Sequence, residues 1–148
     1  MTDFTDPFRA FVEGRFMSEF GIEYPTIPMQ MDNVPFTQPK NTGWAAFTFA
    51  QNPAKQVSLG RKVLIRTDGF LQIDIMERKE KGLVAARRMA EFAADIFAFK
   101  KFKAAPVAIS FSEKHVNKAP TSDGFERIMA RVFFVYDGVL EREPVIFV

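Results

Sequence analysis

Two hydrophobic periods follow one another in the middle of the chain. Leu71, Ile73 and Ile75 alternate with Gln72, Asp74 and Met76, the two-residue period of a half-buried strand. Residues 77–81, ERKEK, are charged throughout and predict a turn too polar to bury. From Gly82 the spacing changes. Leu83, Ala86, Ala90, Ala93, Ala94 and Phe97 recur mostly three and four residues apart, with Arg87, Arg88, Glu91 and Asp95 mostly on the other side. That is a helix with a small-residue face, which lets its backbone lie close on a sheet. Lys100, Lys101 and Lys103 gather where the helix fades, and they suit the negative end of its dipole.

The same rules place the other elements. Phe4, Phe8, Phe11, Val12, Phe16 and Phe20 form a helical stripe over residues 3–20. Thr5 or Asp6 is placed to cap it, Pro7 suits its first position and Gly21 its end. Residues 24–31 contain Pro25 and Pro28, which demote them to an extended edge with Ile27, Met29 and Met31 on one side. A polar loop follows over 32–43. Residues 44–49 predict a strand, with Trp44, Ala46 and Thr48 on one side and Ala45, Phe47 and Phe49 on the other. Strand character resumes over 57–66, interrupted at Gly60. Asp68-Gly69 between two apolar runs predicts a hairpin pairing 63–66 with 70–76. Val107, Ile109 and Phe111 predict a short strand, residues 113–124 a long polar loop, and residues 125–137 the longest strand. Asp137-Gly138 predicts another turn before the apolar segment 142–148. The fold class that results is α+β: one domain with an antiparallel or mixed β-sheet flanked by two helices, with residues 141–148 as an extended C-terminal arm. Phe8, Phe11, Trp44, Leu71, Ile73, Ile75, Ala90 and Phe97 are its expected core.

Length and composition narrow the classes. A chain of 148 residues buries roughly 70% of its unfolded surface and needs no staples. It contains no cysteine, so disulfides, thiol nucleophiles and cysteine-based metal sites drop out. Its apolar runs fall far short of the ~20 residues of a membrane helix. Its start has no basic segment ahead of an apolar block, which predicts no signal peptide, no membrane and an intracellular site of assembly. The net charge is +2, but it is unevenly spread. Residues 1–35 hold six acids against two bases, and residues 77–103 hold eight bases against four acids. A subunit that meets copies of itself head to flank has such a distribution. Phenylalanine accounts for 18 residues, enough to fill a core and leave some for contacts.

The search for chemistry is short. His115 is the only histidine, and the residues around it, SEKHVNK, do not have a metal-ligand spacing. No serine lies in a G-x-S-x-G context. Leu59-Gly60-Arg61-Lys62 lacks the second glycine and the hydroxyl of a phosphate loop. Neither an enzyme nor a cofactor or metal site is expected. Lys62, Leu64 and Arg66 share one strand face without interleaved aromatics, which is a solvated face and not a base-stacking platform.

Several stretches together resemble a known family. They are NVPFTQPKNTGWAAFTF, with an N-x-P-F-x-x-P loop from Asn33 to Pro39 and Trp44 opening a strand, then Ser58-Leu59-Gly60, then Arg66 with Gly69. The apolar strand, charged turn, Gly82 and alanine-rich helix ending near Phe97 follow. In this order they resemble the tail terminator (tail completion) family of long-tailed bacteriophages, related to the lambda minor tail protein U. The resemblance covers roughly residues 1–103 and departs from the family at the charged turn, where members often carry proline. It implies a structural virion protein assembled in the host cytoplasm. Six copies would ring the head-proximal end of the tail tube, stop its growth and present a docking surface to the head–tail connector protein. The implied partners are the chain itself, the tail tube protein, the connector, and genomic DNA passing through the lumen without sequence-specific binding. Candidate ring or tube contacts are Phe36, Gln51, Asn52, Lys55, Gln56, Ser58, Arg61, Lys62, Arg66, Lys114 and Phe147. The alternatives are a head–tail adaptor or tube protein of the same assembly, or an unrelated α+β domain with an apolar ligand cavity.

Overall fold

A computed structural model describes residues 5–32, 34–60, 62–104, 107–119 and 124–141. Its centre is a pair of long antiparallel strands, β4 (Lys62–Arg78) and β7 (Phe125–Glu141), in register from Lys62 opposite Glu141 to Arg78 opposite Phe125. β2 (Trp44–Gln51) lies on the far side of β4, and β1 (Met29–Gln30) pairs parallel with β2. β6 (Val107–Ala119) lies on the far side of β7 and is flanked by β5 (Lys101–Ala104). The order is β1-β2-β4-β7-β6-β5, with the short β3 (Lys55–Gln56) beside β4. The sheet is therefore mixed, and the α+β class expected from the sequence is the one found.

Both helices cover one face of this sheet. Of the predicted stripe, α1 (Thr5–Glu23) buries Phe8, Val12, Phe16 and Phe20, Phe11 is partly buried, and Phe4 lies outside the described residues. Phe16 stacks on Phe47 at 4.8 Å and Phe8 on Tyr136 at 4.5 Å. α2 (Val84–Asp95) buries Ala86, Met89, Ala90, Ala93 and Ala94, and Phe97 just beyond it meets both Phe47 and Phe111. Leu71, Ile73 and Ile75 answer from β4 and Ile128, Ala130, Val132 and Phe134 from β7. The phenylalanines close ring on ring, which is how so aromatic a core is filled. Trp44 is buried on the opposite face, edge-on to Phe125 at 5.0 Å.

Several expectations need correction. Asp68-Gly69 and Asp137-Gly138 are not turns, because β4 and β7 run straight through both, and Arg66 lies opposite Asp137. The segment 113–119 is not loop but the second half of β6, displaced by a register shift between Phe111 and Lys114. The charged run 77–81 is not all turn: β4 continues to Arg78, and Glu77 is buried with its carboxylate accepting the Arg78 N–H at 2.9 Å. Only Lys79–Lys81 forms the 3₁₀ turn leading towards α2. Gly21 does not end α1; the helix runs to Glu23 and stops before Pro25, a residue with no N–H to donate. Lys101 and Lys103 belong to β5 and not to the end of α2. Lys100 does serve that end, donating to the carbonyls of Asp95 (2.8 Å) and Ile96 (3.2 Å).

Candidate assembly surfaces

β4 and β7 are longer than the strands beside them, and this creates an overhang. β2 pairs with β4 only as far as Gly69, and β6 pairs with β7 only as far as Asp137. Residues 62–66 and 137–141 continue as a ribbon edged by β3. Seven of the eleven candidate contact residues collect here. Gln51 ends β2 and accepts the Tyr136 hydroxyl at 3.3 Å. Asn52 bonds Asp68 twice, backbone to backbone at 2.8 Å and through its side-chain amide at 2.9 Å. Lys55 and Gln56 are exposed on β3, and the Gln56 amide donates to the Ser58 carbonyl at 2.8 Å. The Ser58 hydroxyl accepts the Leu64 N–H at 2.7 Å, and the Val57 N–H reaches the Leu64 carbonyl at 2.9 Å. This turn is thus an ordered hairpin, with Leu59 90% exposed at its tip. Lys62 is exposed at the start of β4. Arg66 grips Asp137 with two bonds, 2.9 and 3.3 Å, and these raise the guanidinium above its ordinary range.

The remaining four candidates lie elsewhere. Phe36 sits half-buried in the 31–43 loop, which is tied to the sheet through Asp32, accepting the Phe49 N–H at 3.4 Å, and through the Lys40 carbonyl, accepting from Arg78 at 2.8 Å. Lys114 stands at the β6 irregularity and reaches across to α2, bonding Asp95 at 2.6 Å and Glu91 at 2.8 Å. Those two bonds raise its ammonium above the ordinary lysine value, Asp95 contributing most. Lys114 is therefore a clamp between sheet and helix. Arg61 and Phe147 lie outside the described residues.

Sequence reasoning missed the sheet face opposite the helices. Phe70, Met76, Met129 and Phe133 lie half-exposed on it beside charged partners. Arg127 pairs with Asp74 at 3.0 Å, and Arg131 donates to Gln72 at 2.7 Å with its guanidinium 4.1 Å from the Phe70 ring centre. The signal was present in the alternation of residues 127–133, whose second face is too apolar for a wholly solvated side. Among the described residues, no three histidine, aspartate or glutamate side chains gather to hold a metal ion. No helix there is long and apolar enough to cross a membrane.

A search of curated proteins finds no match. Of the solved structures that match, one chain superposes with a TM-score of 0.63 at 17% identity, covering 94% of this chain and 98% of its own, a likeness of fold. The sequence profile of the phage tail terminator proteins matches residues 9–132. That span takes in most of α1, all of α2 and most of the sheet, as far as the middle of β7. The chain belongs to the phage tail terminator protein family, a structural component of the virion tail.

Proposed function

We propose that six copies of this chain form a ring on the head-proximal end of the tail tube, ending tube growth and giving the head–tail connector its docking surface. The family match over residues 9–132 carries this reading. The overhang supports it: a set of exposed polar and basic side chains held by hydrogen bonds at one end of the sheet, away from the helix-covered core. In this reading Gln51, Asn52, Lys55, Gln56, Ser58, Arg61, Lys62 and Arg66 meet the tube or the next subunit. Phe36 contributes from the 31–43 loop, and the C-terminal segment 145–148, with Phe147, docks on a neighbour. Each ring interface would bury about 1,600 Å² or more. DNA passes through the lumen without base recognition, and the chain performs no catalysis.

The test is tail assembly in the presence and absence of the chain. Tube protein polymerised with it should stop at a regular length and join heads, whereas tubes made without it should overrun and stay headless. Tubes of the same length that join heads equally well without the chain would overturn the proposal.

A further inference from the structure

Phe99 carries two unfavourable features at once. Its φ is 61°, the left-handed region that glycine or asparagine usually occupies, in the turn between α2 and β5. A bulky side chain is strained there. Its ring is also 74% exposed, the one exposed phenylalanine among the described residues. The conformation is fixed, not frayed: the Phe99 N–H donates to the Ser112 carbonyl at 3.0 Å and the Lys100 N–H to the Phe97 carbonyl at 3.2 Å. Beside it Lys101 and Lys103 are exposed on β5, while Phe102 between them turns inward onto Phe11 and Phe111. Neither lysine has an ion-pair partner among the described residues. The result is an aromatic knob with two free cations.

The end of α1 is its complement. Glu19, Ile22 and Glu23, at i, i+3 and i+4, share one side of the helix, and Ile22 is 77% exposed. Two carboxylates at the negative end of a helix are disfavoured by its dipole, and that last turn contains no basic residue to offset them. Ile22 is thus an exposed apolar side chain flanked by two carboxylates, of which Glu19 has a long contact with Arg15, at 3.9 Å, as its ion pair among the described residues.

We propose that Phe99 of one copy, with Lys101 and Lys103, docks on the Glu19–Ile22–Glu23 end of α1 of the next copy. In the ring the knob of each copy meets the helix end of the next, a heterologous contact of the type that closes into rings. It rests on the ring reading above and assigns the surfaces that meet. The backbone strain at Phe99 is retained because the exposed ring serves assembly.

The test uses the full chain, with light scattering for particle size and thermal melting for the fold. Phe99→Gly relieves the left-handed strain, so it should melt higher, by about 2–6 °C, yet assemble at least tenfold more weakly. Glu19→Lys with Glu23→Lys should also lose assembly. Adding Lys101→Glu and Lys103→Glu to that chain should restore it. If the reversed helix end melts early, Glu19→Gln with Glu23→Gln replaces it and should weaken assembly without loss of melting temperature. A Phe99→Gly chain that forms parent-sized rings would overturn the contact, as would a fourfold variant that stays dispersed. In either case parental rings leave the ring reading intact. A parent chain that remains single both in solution and on tail tubes would remove the ring and this contact together.

Discussion

Gly69 and Phe134 face each other across β4 and β7, and the glycine has no room for a side chain. A Cβ added at Gly69 would lie 2.9 Å from the Phe134 ring and 2.8 Å from the Gln51 Cα, and would overlap the Ala50 carbonyl oxygen. Glycine in a strand ordinarily costs stability relative to alanine. Here the sign reverses, because β2, β4 and β7 close on this point from both sides. Gly69→Ala should destabilise the chain by about 1–3 kcal/mol. A urea midpoint equal to or above the parent's would show that the strands can separate to admit the methyl group.

Ala90 offers a second test of the core. It is fully buried on the face of α2 that meets the sheet. An aspartate there would bring an unpaired carboxylate into apolar surroundings, where the group either stays charged at high cost or takes up a proton. Ala90→Asp should cost about 3–5 kcal/mol and lower the melting temperature steeply at neutral pH. An unchanged melting temperature would mean that this helix face is solvated.

Gly69 also shows where the sequence was legible and where it was not. The stripe of α1, the alanine face of α2 and the alternation in β4 and β7 all appear as periodicity, since burial on one face leaves a repeating mark. Asp68-Gly69 looks identical to a hairpin turn because that signal is local. What makes it a strand interior is a neighbour 65 positions away in sequence, Phe134, which needs the space. Asp137-Gly138 fails in the same way: Asp137 is held in the strand by Arg66 opposite. The polarity of 113–119 suggested a loop, but β6 lies towards the sheet margin, where one face and part of an edge stay wet. The candidate contacts from Gln51 to Arg66 are spread over a polar stretch and an expected strand, and the described ones lie at one end of the sheet. Their convergence depends on β4 outrunning β2, a length mismatch that no single stretch records.

Lys114 links β6 to α2 through Asp95 and Glu91. Its raised value means that the folded chain holds the proton more tightly than the unfolded chain. The resulting stability is complete below the ordinary lysine value of 10.5 and is lost as pH rises through the higher folded value. All three side chains keep some solvent contact, 28% for Lys114, 43% for Glu91 and 58% for Asp95, so screening keeps the effect to about 1 kcal/mol. Lys114→Met should therefore melt a few degrees below the parent at pH 7, and the gap should narrow above pH 10.5. A gap that is constant across that range would assign the loss to packing and not to charge.

The overhang gives the most direct separation of fold from assembly. Residues 52–57 are all exposed, and within them β3 pairs with Arg66 and Ile65 of β4. Replacing 52–57 by a glycine-serine segment of equal length removes the Asn52 side-chain bond to Asp68 and the Gln56 bond to the Ser58 carbonyl. It leaves every buried residue in place. Exposed hydrogen bonds of this kind contribute about 0.5–1.5 kcal/mol each at most, so the variant should remain folded and melt within several degrees of the parent. If this end of the sheet meets the tube or the neighbouring subunit, the folded variant should fail to stop tube growth, and electron micrographs should show overlong, headless tails. Tails of normal length joined to heads would clear residues 52–57 of any contact role. They would also direct attention to the half-apolar sheet face around Phe70 and Phe133, where Phe70→Glu would be the corresponding test.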